Sequence, residues 1–337
     1  KDRPILSLVI PCYNEEASLA SCVGRCLELE NGDLGLELII VDDCSTDNSL
    51  AVAEKLAREH PQITVMHHEV NQGKGAALRT GFTVASGDFV GIQDADMEYN
   101  PRDYLPMLEL IKQDKADVVF GSRYLKAETR RVLYFWHTWM NRTLTAFSNM
   151  LTNLDITDME TCYKLFKREV IHAIAPTLKE NRFGCEPELT TRVAQMRCRV
   201  YEHAIAYQPR SYEEGKKINW KDGVRALYCI LHYGGPTAPL PMQLILYFFI
   251  GSICAVANLA SFALLFNLTG NINASVVSAF ILSAGLNYIL CGFFLFRHKA
   301  RWSSTGALVT YILTVCIMGC RFSPSCASPE TDRAASR

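Results

Sequence analysis

The chain has 337 residues, with 34 Lys+Arg against 35 Asp+Glu and a formal net charge of -1. Near-neutrality excludes a nucleic-acid binder that works through a global basic field, and a composition of 49% apolar and 20% charged residues excludes disorder as the dominant state. A wholly soluble protein is excluded as well: between Ala226 and Phe296 there is no Asp, Glu, Lys or Arg, where an average share would place roughly 14.

The 13 Cys form no CxxC pair and no Cys/His cluster with zinc-like spacing. A reduced, cytosol-facing protein is expected. The first residues, Lys1-Asp2-Arg3-Pro4, lead into a short apolar run closed by Pro11, too short for a signal-peptide core. The lack of an initiator Met reads as a trimmed or partial chain.

Apolar runs at Ile5–Ile10, Leu36–Val41, Ile63–Met66, Phe89–Ile92 and Val118–Phe120 alternate with amphipathic stretches. Near-continuous runs of this kind predict buried parallel strands, and the stretches between them crossover helices. One helix is expected from Thr46-Asp47-Asn48 to about Glu59, stopped by Pro61. Another is expected from Asn100, with Pro101 at its first helical position. The pattern is a doubly wound α/β fold. Each run ends in a polar motif, and in a parallel sheet those ends line one crevice.

The stretch Arg131–Leu151 interleaves Trp136, Trp139, Phe135 and Phe147 with Arg142 and Asn149. Its helical spacing fits a core helix or one lying in the headgroup layer of a membrane. Ile218–Tyr233 repeats the pattern, and there the interfacial reading is favoured because membrane sequence follows directly. Leu240–Phe266 and Ala274–Phe296 are uncharged stretches of 27 and 23 residues, each longer than the roughly 20 needed to cross the hydrocarbon as a helix. Arg297, His298, Lys299 and Arg301 after the second span, with Lys216, Lys217, Lys221 and Arg225 before the first, place both ends of the hairpin in the cytoplasm. Gly306–Cys320 is a marginal third stretch. The tail, Arg321–Arg337, lacks apolar periodicity, looks foreign to the membrane part and is expected to be unstructured. The expected domains are thus 1–217, a juxtamembrane helix over 218–235, a transmembrane region over 236–320 and the tail over 321–337.

The strand-end motifs carry the chemistry. Asp94, Asp96 and Glu98 offer hard oxygen ligands at i, i+2 and i+4, a pattern that suits Mg²⁺ or Mn²⁺ sharing its coordination with phosphate oxygens. Acidic residues at strand ends are also ordinary turn formers, but Asn100-Pro101 already starts the next helix. Asp42-Asp43 can serve as turn residues or accept hydrogen bonds from a base or ribose, and Tyr13 offers a stacking face. Gly73-Lys74-Gly75 lets amides and an ammonium approach a phosphate, although a plain tight turn fits it too. It is not a Walker loop, and no GxGxxG opens the first helix, so nicotinamide binding loses its sequence support. Arg123, directly after a buried strand, suits either a phosphate or a surface salt bridge.

Together these motifs resemble the family 2 inverting glycosyltransferases of GT-A fold. Within that family the chain is similar to the polyprenyl-phosphate sugar transferases typified by dolichol-phosphate mannose synthase. The resemblance runs from about Ile5 to Tyr233. It is carried by Pro11-Cys12-Tyr13-Asn14-Glu15, Val41-Asp42-Asp43-Cys44-Ser45, Asn71-Gln72-Gly73-Lys74-Gly75, Gln93-Asp94-Ala95-Asp96-Met97-Glu98 and Gly121-Ser122-Arg123-Tyr124. Asp158–Lys164, Phe183–Glu188 and Glu213–Ile218 extend it. The apolar region resembles a GtrA-type membrane domain, usually of four helices, of which the fourth is missing here.

The resemblance implies that Pro11, Tyr13, Glu15, Asp43 and Lys74 hold the nucleotide sugar, with Asp94 at its diphosphate and Glu186 facing the sugar. Asp94, Asp96 and Glu98 would hold the cation, Glu98 being the least secure ligand. Arg123, with Arg131 or Arg142 and Lys216 or Lys217, would bind a lipid phosphate. Asp94, Asp96 and Arg123 would then carry catalysis: a hexose passes from GDP-mannose or UDP-glucose to dolichyl or undecaprenyl phosphate. The implied protein is multi-pass, with its catalytic domain on the cytoplasmic face. It takes no nucleic acid, and homo-oligomerisation is left open. Two other readings compete. One is a flippase or transport partner for lipid-linked sugars with a silent nucleotide domain. The other is a processive polysaccharide synthase, which the absence of a Gln-x-x-Arg-Trp signature disfavours.

Overall fold

The computed structural model describes residues 3–125, 131–209 and 220–295. Lys216, Lys217, the stretch Gly306–Cys320 and the tail Arg321–Arg337 lie outside the described residues. The chain divides into two units, Lys1–Thr237 and Ala238–Arg337.

In the first unit the strands are β1 (Ile5–Cys12), β2 (Gly35–Asp42), β3 (Ile63–His67), β4 (Phe89–Ile92), β5 (Val118–Ser122), β6 (Lys164–Lys167) and β7 (Val200–Ala204). They form one sheet in the order β3-β2-β1-β4-β6-β5-β7. β1 pairs in parallel with β2 and β4, and β2 with β3, as the apolar runs predicted. β6, which runs antiparallel between β4 and β5, and β7, which extends the sheet in parallel beside β5, stand outside the five predicted runs. Because β6 is reversed, its first residue lies at the same edge as the last residues of the others. Asp158–Tyr163 therefore arrives at the edge where Tyr13, Asp43, Asp94 and Arg123 depart.

The helices are α1 (Leu19–Leu27), α2 (Ser49–Glu59), α3 (Lys74–Val84), α4 (Tyr104–Lys112), α5 (Phe135–Thr152), α6 (Arg168–Ile174), α7 (Cys185–Gln195) and α8 (Trp220–Cys229). Asn100 starts the predicted helix: its side chain accepts from Arg102 N at 3.2 Å, and Pro101–Asp103 forms a 3-10 turn leading into α4. α2 ends at Glu59, as Pro61 required.

Under the β4 end lies a stack of tyrosines. Tyr104 packs on Tyr163 at 4.3 Å, Tyr163 on Tyr99 at 5.1 Å, and Tyr99 on Tyr207 at 5.4 Å. The Tyr163 hydroxyl donates to Gln93 Oε1 and Asn100 O. Gly91 is required here, since a Cβ would meet the Tyr104 ring at 2.9 Å.

α5 resolves the two readings of its aromatic stretch by halves. Leu144, Thr145, Ser148 and Leu151 are buried, whereas Trp136 and Trp139 remain 74% and 50% exposed beside exposed Tyr134 and Phe135. The first turns are therefore not core. On α8, Val224 and Leu227 are exposed.

The second unit holds α9 (Leu240–Thr269) and α10 (Ile272–Phe294). At 1.5 Å per residue these are about 45 and 34 Å long, enough to cross a hydrocarbon core. The predicted polar break is shorter than its sequence suggested. α9 continues through Thr269, Gly270 ends it in the left-handed region at φ 64°, and Asn271 caps α10 by accepting from Ala274 N. Ser283 donates to the Cys254 carbonyl across the pair at 2.8 Å. Most of their apolar surface is unburied, Phe248, Val256 and Leu259 among it.

Candidate active site

The turns after β1 and β2 are stitched together. Asn14 N donates to Ser45 Oγ, Thr46 N to Asn14 Oδ1, and Glu15 N to Ser49 Oγ. Asn14 takes a positive φ of 53° to turn there. The result leaves Pro11 half-buried and the Tyr13 ring exposed at the rim.

Asp43 is buried, and its carboxylate faces the chain. Its oxygens accept from Gln72 N at 2.9 Å and Gly73 N at 2.6 Å, and His68 Nδ1 lies 2.7 Å away. Asp43 thus braces the glycine turn, and in this structure it is the turn-forming alternative that the geometry displays. Gly73 sits at φ 97°, and a Cβ on Gly73 or Gly75 would strike the carbonyls of Asn181 and Glu180. That close approach of backbones is why the turn needs glycine.

The brace delivers Lys74 into the interior of the crevice. Its Nζ lies 2.7 Å from Asp94 Oδ1 and 3.6 Å from Glu186 Oε1, and donates to Cys162 Sγ. Burial disfavours the ammonium, but Asp94, with the Cys162 sulfur and Glu186 behind it, outweighs burial and holds its pKa well above the ordinary value. Glu186, in the first turn of α7, accepts from Cys162 Sγ at 3.2 Å and Cys185 Sγ at 2.9 Å. Burial pushes both thiols up, so they act as neutral donors. All ten described cysteines are free.

The acid motif is bent. Met97 has φ 65°, and Asp96 Oδ1 accepts from Glu98 N. Glu98 lies beside Tyr207, its carbonyl accepting from Gln208 N at 2.9 Å, and the Tyr207 ring lies under the Arg123 guanidinium at 5.1 Å. The regular i, i+2, i+4 fan expected from the spacing is therefore not assembled, and no group of three or more His, Cys, Asp or Glu is gathered to hold a metal among the described residues. Burial first, then the Asp94 and Glu98 carboxylates, push Asp96 up to about 7. Such crowding of acids against one lysine is the donor set a hard cation relieves. Mg²⁺ commonly takes only one or two protein carboxylates and completes its shell with water and phosphate. Asp94 and Asp96 fit that role.

At the other end of the crevice, the Arg123 side chain is only 8% exposed and its salt bridge to Asp158 is an internal one rather than a surface one. Its Nε and Nη2 donate to Asp158 at 2.7 and 2.8 Å, and its guanidinium lies over Tyr207 at 5.1 Å and Tyr124 at 5.8 Å. Arg142 from α5 stacks on the same Tyr124 at 5.5 Å. The structure thus brings Arg142 to Arg123, whereas Arg131 donates to the Pro209 carbonyl. Asn141 Nδ2 ties the cluster together through Tyr124 and Asp158. Asp158, Tyr207 and Asn141 were not singled out from the sequence. Asp158 stands in a motif that was recognised. For Tyr207 and Asn141 no local pattern exists.

Residues 7–175, half of the chain, match glycosyl transferase family 2. The chain belongs to this family. This family 2 glycosyltransferase is 29% identical over 208 residues to the polyprenol monophosphomannose synthase of Mycolicibacterium smegmatis, covering 60% of this chain and 77% of that relative. It is 30% identical over 257 residues to the undecaprenyl-phosphate 4-deoxy-4-formamido-L-arabinose transferase of Proteus mirabilis, covering 75% and 73%. Glucosyl-3-phosphoglycerate synthase from Mycobacterium tuberculosis, solved with Mn²⁺, UDP and glucosyl-3-phosphoglycerate, superposes with a TM-score of 0.54 at 18% identity, over 69% of this chain and 81% of that one. The fold of the first unit is GT-A. These relatives lend no support to a silent nucleotide domain serving a flippase.

Proposed function

We propose that this glycosyltransferase moves a hexose, from GDP-mannose or UDP-glucose, to the phosphate of dolichyl or undecaprenyl phosphate, inverting the anomeric centre. The observation that carries the reading is the pairing of two ends in one crevice. An acidic end built on Asp94, Asp96 and Lys74 meets a basic end built on Arg123 and Arg142, with Tyr207 under Arg123 and its neighbour Gln208 N donating to the Glu98 carbonyl. A diphosphate with its cation suits the first end and a phosphate monoester the second. Pro11, Tyr13, Glu15 and Asp43 border the nucleotide, and Glu186 lies by the sugar.

The acceptor changes what the protein must supply. A phosphate monoester has its second pKa near 6 and is largely dianionic at neutral pH, so no strong general base is demanded. Arg123, fixed by Asp158 and two tyrosines, is preorganised to orient that dianion, with Arg142 beside it. A divalent ion on Asp94 and Asp96, when bound, stabilises the charge on the departing diphosphate. Lys74 adds a second positive charge. The exposed Trp136 and Trp139, the exposed face of α8 and the apolar hairpin suit an acceptor whose tail stays in lipid. By the positive-inside rule the catalytic unit is cytoplasmic and the protein multi-pass, the hairpin belonging to a GtrA-like domain.

The test is incorporation of radiolabelled sugar from the nucleotide into a chloroform-soluble product, with polyprenyl phosphate and Mg²⁺ or Mn²⁺. Wild type labels the lipid and Asp96→Ala does not. A wild type that leaves the organic phase unlabelled with every donor refutes the proposal, and an unchanged Asp96→Ala refutes the metal assignment.

A further inference from the structure

The segment Asp158–Tyr163, which enters the crevice edge ahead of β6, has its polar groups almost fully engaged by the chain itself. Asp158 is held by Arg123 and Asn141. Met159 N donates to Thr145 Oγ1 at 3.1 Å, and Thr161 Oγ1 accepts from Tyr163 N. The buried Lys164 ammonium donates to the carbonyls of Met159 and Thr161, the two residues flanking Glu160.

Glu160 breaks the pattern. Its Oε1 is buried and has no hydrogen-bond partner. The charged groups that act on its carboxyl are Glu186, Lys164, Arg123 and Asp158. Two residues before it Asp158 holds Arg123 at 2.7 Å, and two residues after it Cys162 donates to Glu186 at 3.2 Å, so Glu160 lies on the segment that joins the acceptor end to the carboxylate at the head of α7. An unsatisfied buried polar atom costs about 1–3 kcal/mol, and a backbone pinned on both sides of Glu160 cannot turn to relieve it. Such an atom calls for a physical reason, and a bound ligand that completes it is one. Burial, with Glu186 next, pushes this carboxyl up to about 8, so at neutral pH it is mostly the acid, able both to donate and to accept. The charge that a phosphate needs is offered by Arg123, and a carboxylic acid beside Glu186 suits an uncharged partner instead. A neutral hydroxyl meets both requirements.

We infer that Glu160 is a sugar-binding residue of the donor site, exchanging hydrogen bonds with one hydroxyl of the hexose on the nucleotide and thereby selecting among hexoses. This rests on the donor half of the proposed function. It assigns to Glu160 the recognition of the sugar, in distinction from Asp94 and Asp96 at the diphosphate.

The experiment is equilibrium binding to the full chain in detergent, without acceptor. The ligands are the tightest-binding GDP- or UDP-hexose, its nucleoside diphosphate, and the 2-, 3-, 4- and 6-deoxy forms of the sugar nucleotide. Glu160→Ala binds the nucleoside diphosphate as wild type does and the sugar nucleotide at least about tenfold more weakly. One deoxy position costs wild type a similar factor and costs Glu160→Ala nothing further, while Glu160→Gln, which keeps a donor and an acceptor, retains the discrimination. Equal losses with every deoxy donor in wild type and Glu160→Ala, or unchanged binding of the sugar nucleotide, overturn the inference. Glu160→Met fills the space without a hydrogen-bonding group and gives the same comparison if the alanine variant does not fold. Because no acceptor is present, a chain that shows this contact yet labels no polyprenyl phosphate contradicts the acceptor assignment alone.

Discussion

Replacing Asp158 by asparagine removes a negative charge while keeping the shape of a fully buried side chain. The carboxylate accepts from Arg123 N at 3.1 Å, Nε at 2.7 Å and Nη2 at 2.8 Å, and from Asn141 Nδ2 at 3.2 Å. The amide has a single acceptor oxygen and turns an NH₂ toward a guanidinium that has nothing to accept it. Breaking a buried pair from one side costs about 3–5 kcal/mol, because the remaining charge stays buried. For a unit of this size, each kcal/mol moves the melting midpoint by about 2–4 °C, so the midpoint should fall by roughly 6–20 °C. The assay is thermal melting of the full chain in detergent, followed by intrinsic fluorescence. The double variant Arg123→Met with Asp158→Leu has no charge to strand and should lose less than Asp158→Asn alone. A single variant that melts within about 2 °C of wild type, or a double variant that loses the sum of its singles, refutes the reasoning.

Other expectations follow from the same geometry. Lys74→Met leaves Asp94 and Glu186 without their shared cation, so its melting midpoint should rise more on adding Mg²⁺ than that of wild type; an equal rise contradicts the counter-charge role. Asp96 must lose its proton to bind a cation, and its carboxyl is pushed up to about 7. The apparent Mn²⁺ affinity should therefore climb about tenfold per pH unit from 5 to 7 and level off above, a slope that titration calorimetry should find absent in Asp96→Asn. The same raised carboxyl works against the cation-free fold as pH rises from about 4 toward 7, because the folded state then holds a proton that the unfolded state has released. Trp136→Ala with Trp139→Ala removes exposed rings; KM for a long polyprenyl phosphate should rise several-fold and that for a short, water-soluble analogue should not, as steady-state kinetics would show.

Much of the fold was legible because buried parallel strands announce themselves. Phe89–Ile92 was bounded as observed, and the other four runs were placed to within a few residues. β6 was not legible: Lys164-Leu165-Phe166-Lys167 has lysines at both ends, and nothing local says that Lys164 lies fully buried against two carbonyls. β7 carries Glu202 and His203 and reads as a polar edge. The site was legible by residue type but not by partner. Asp94 and Arg123 were identified, while the lysine 20 residues upstream that pairs with one and the Asp158 that fixes the other depend on tertiary contact. Asp43 shows the limit most plainly. Its place at a strand end suits a ligand, and only the backbone of the next turn reveals that the carboxylate is already engaged.

The most direct measurement is the mass and anomeric configuration of the lipid product formed by wild type from a defined sugar nucleotide. A phosphate at the basic end attacking the sugar held at the acidic end predicts one hexose on a polyprenyl monophosphate, nucleoside diphosphate released, and a configuration opposite to that of the donor. A polyprenyl diphosphate sugar with nucleoside monophosphate released, or a product that retains the donor's configuration, would contradict it.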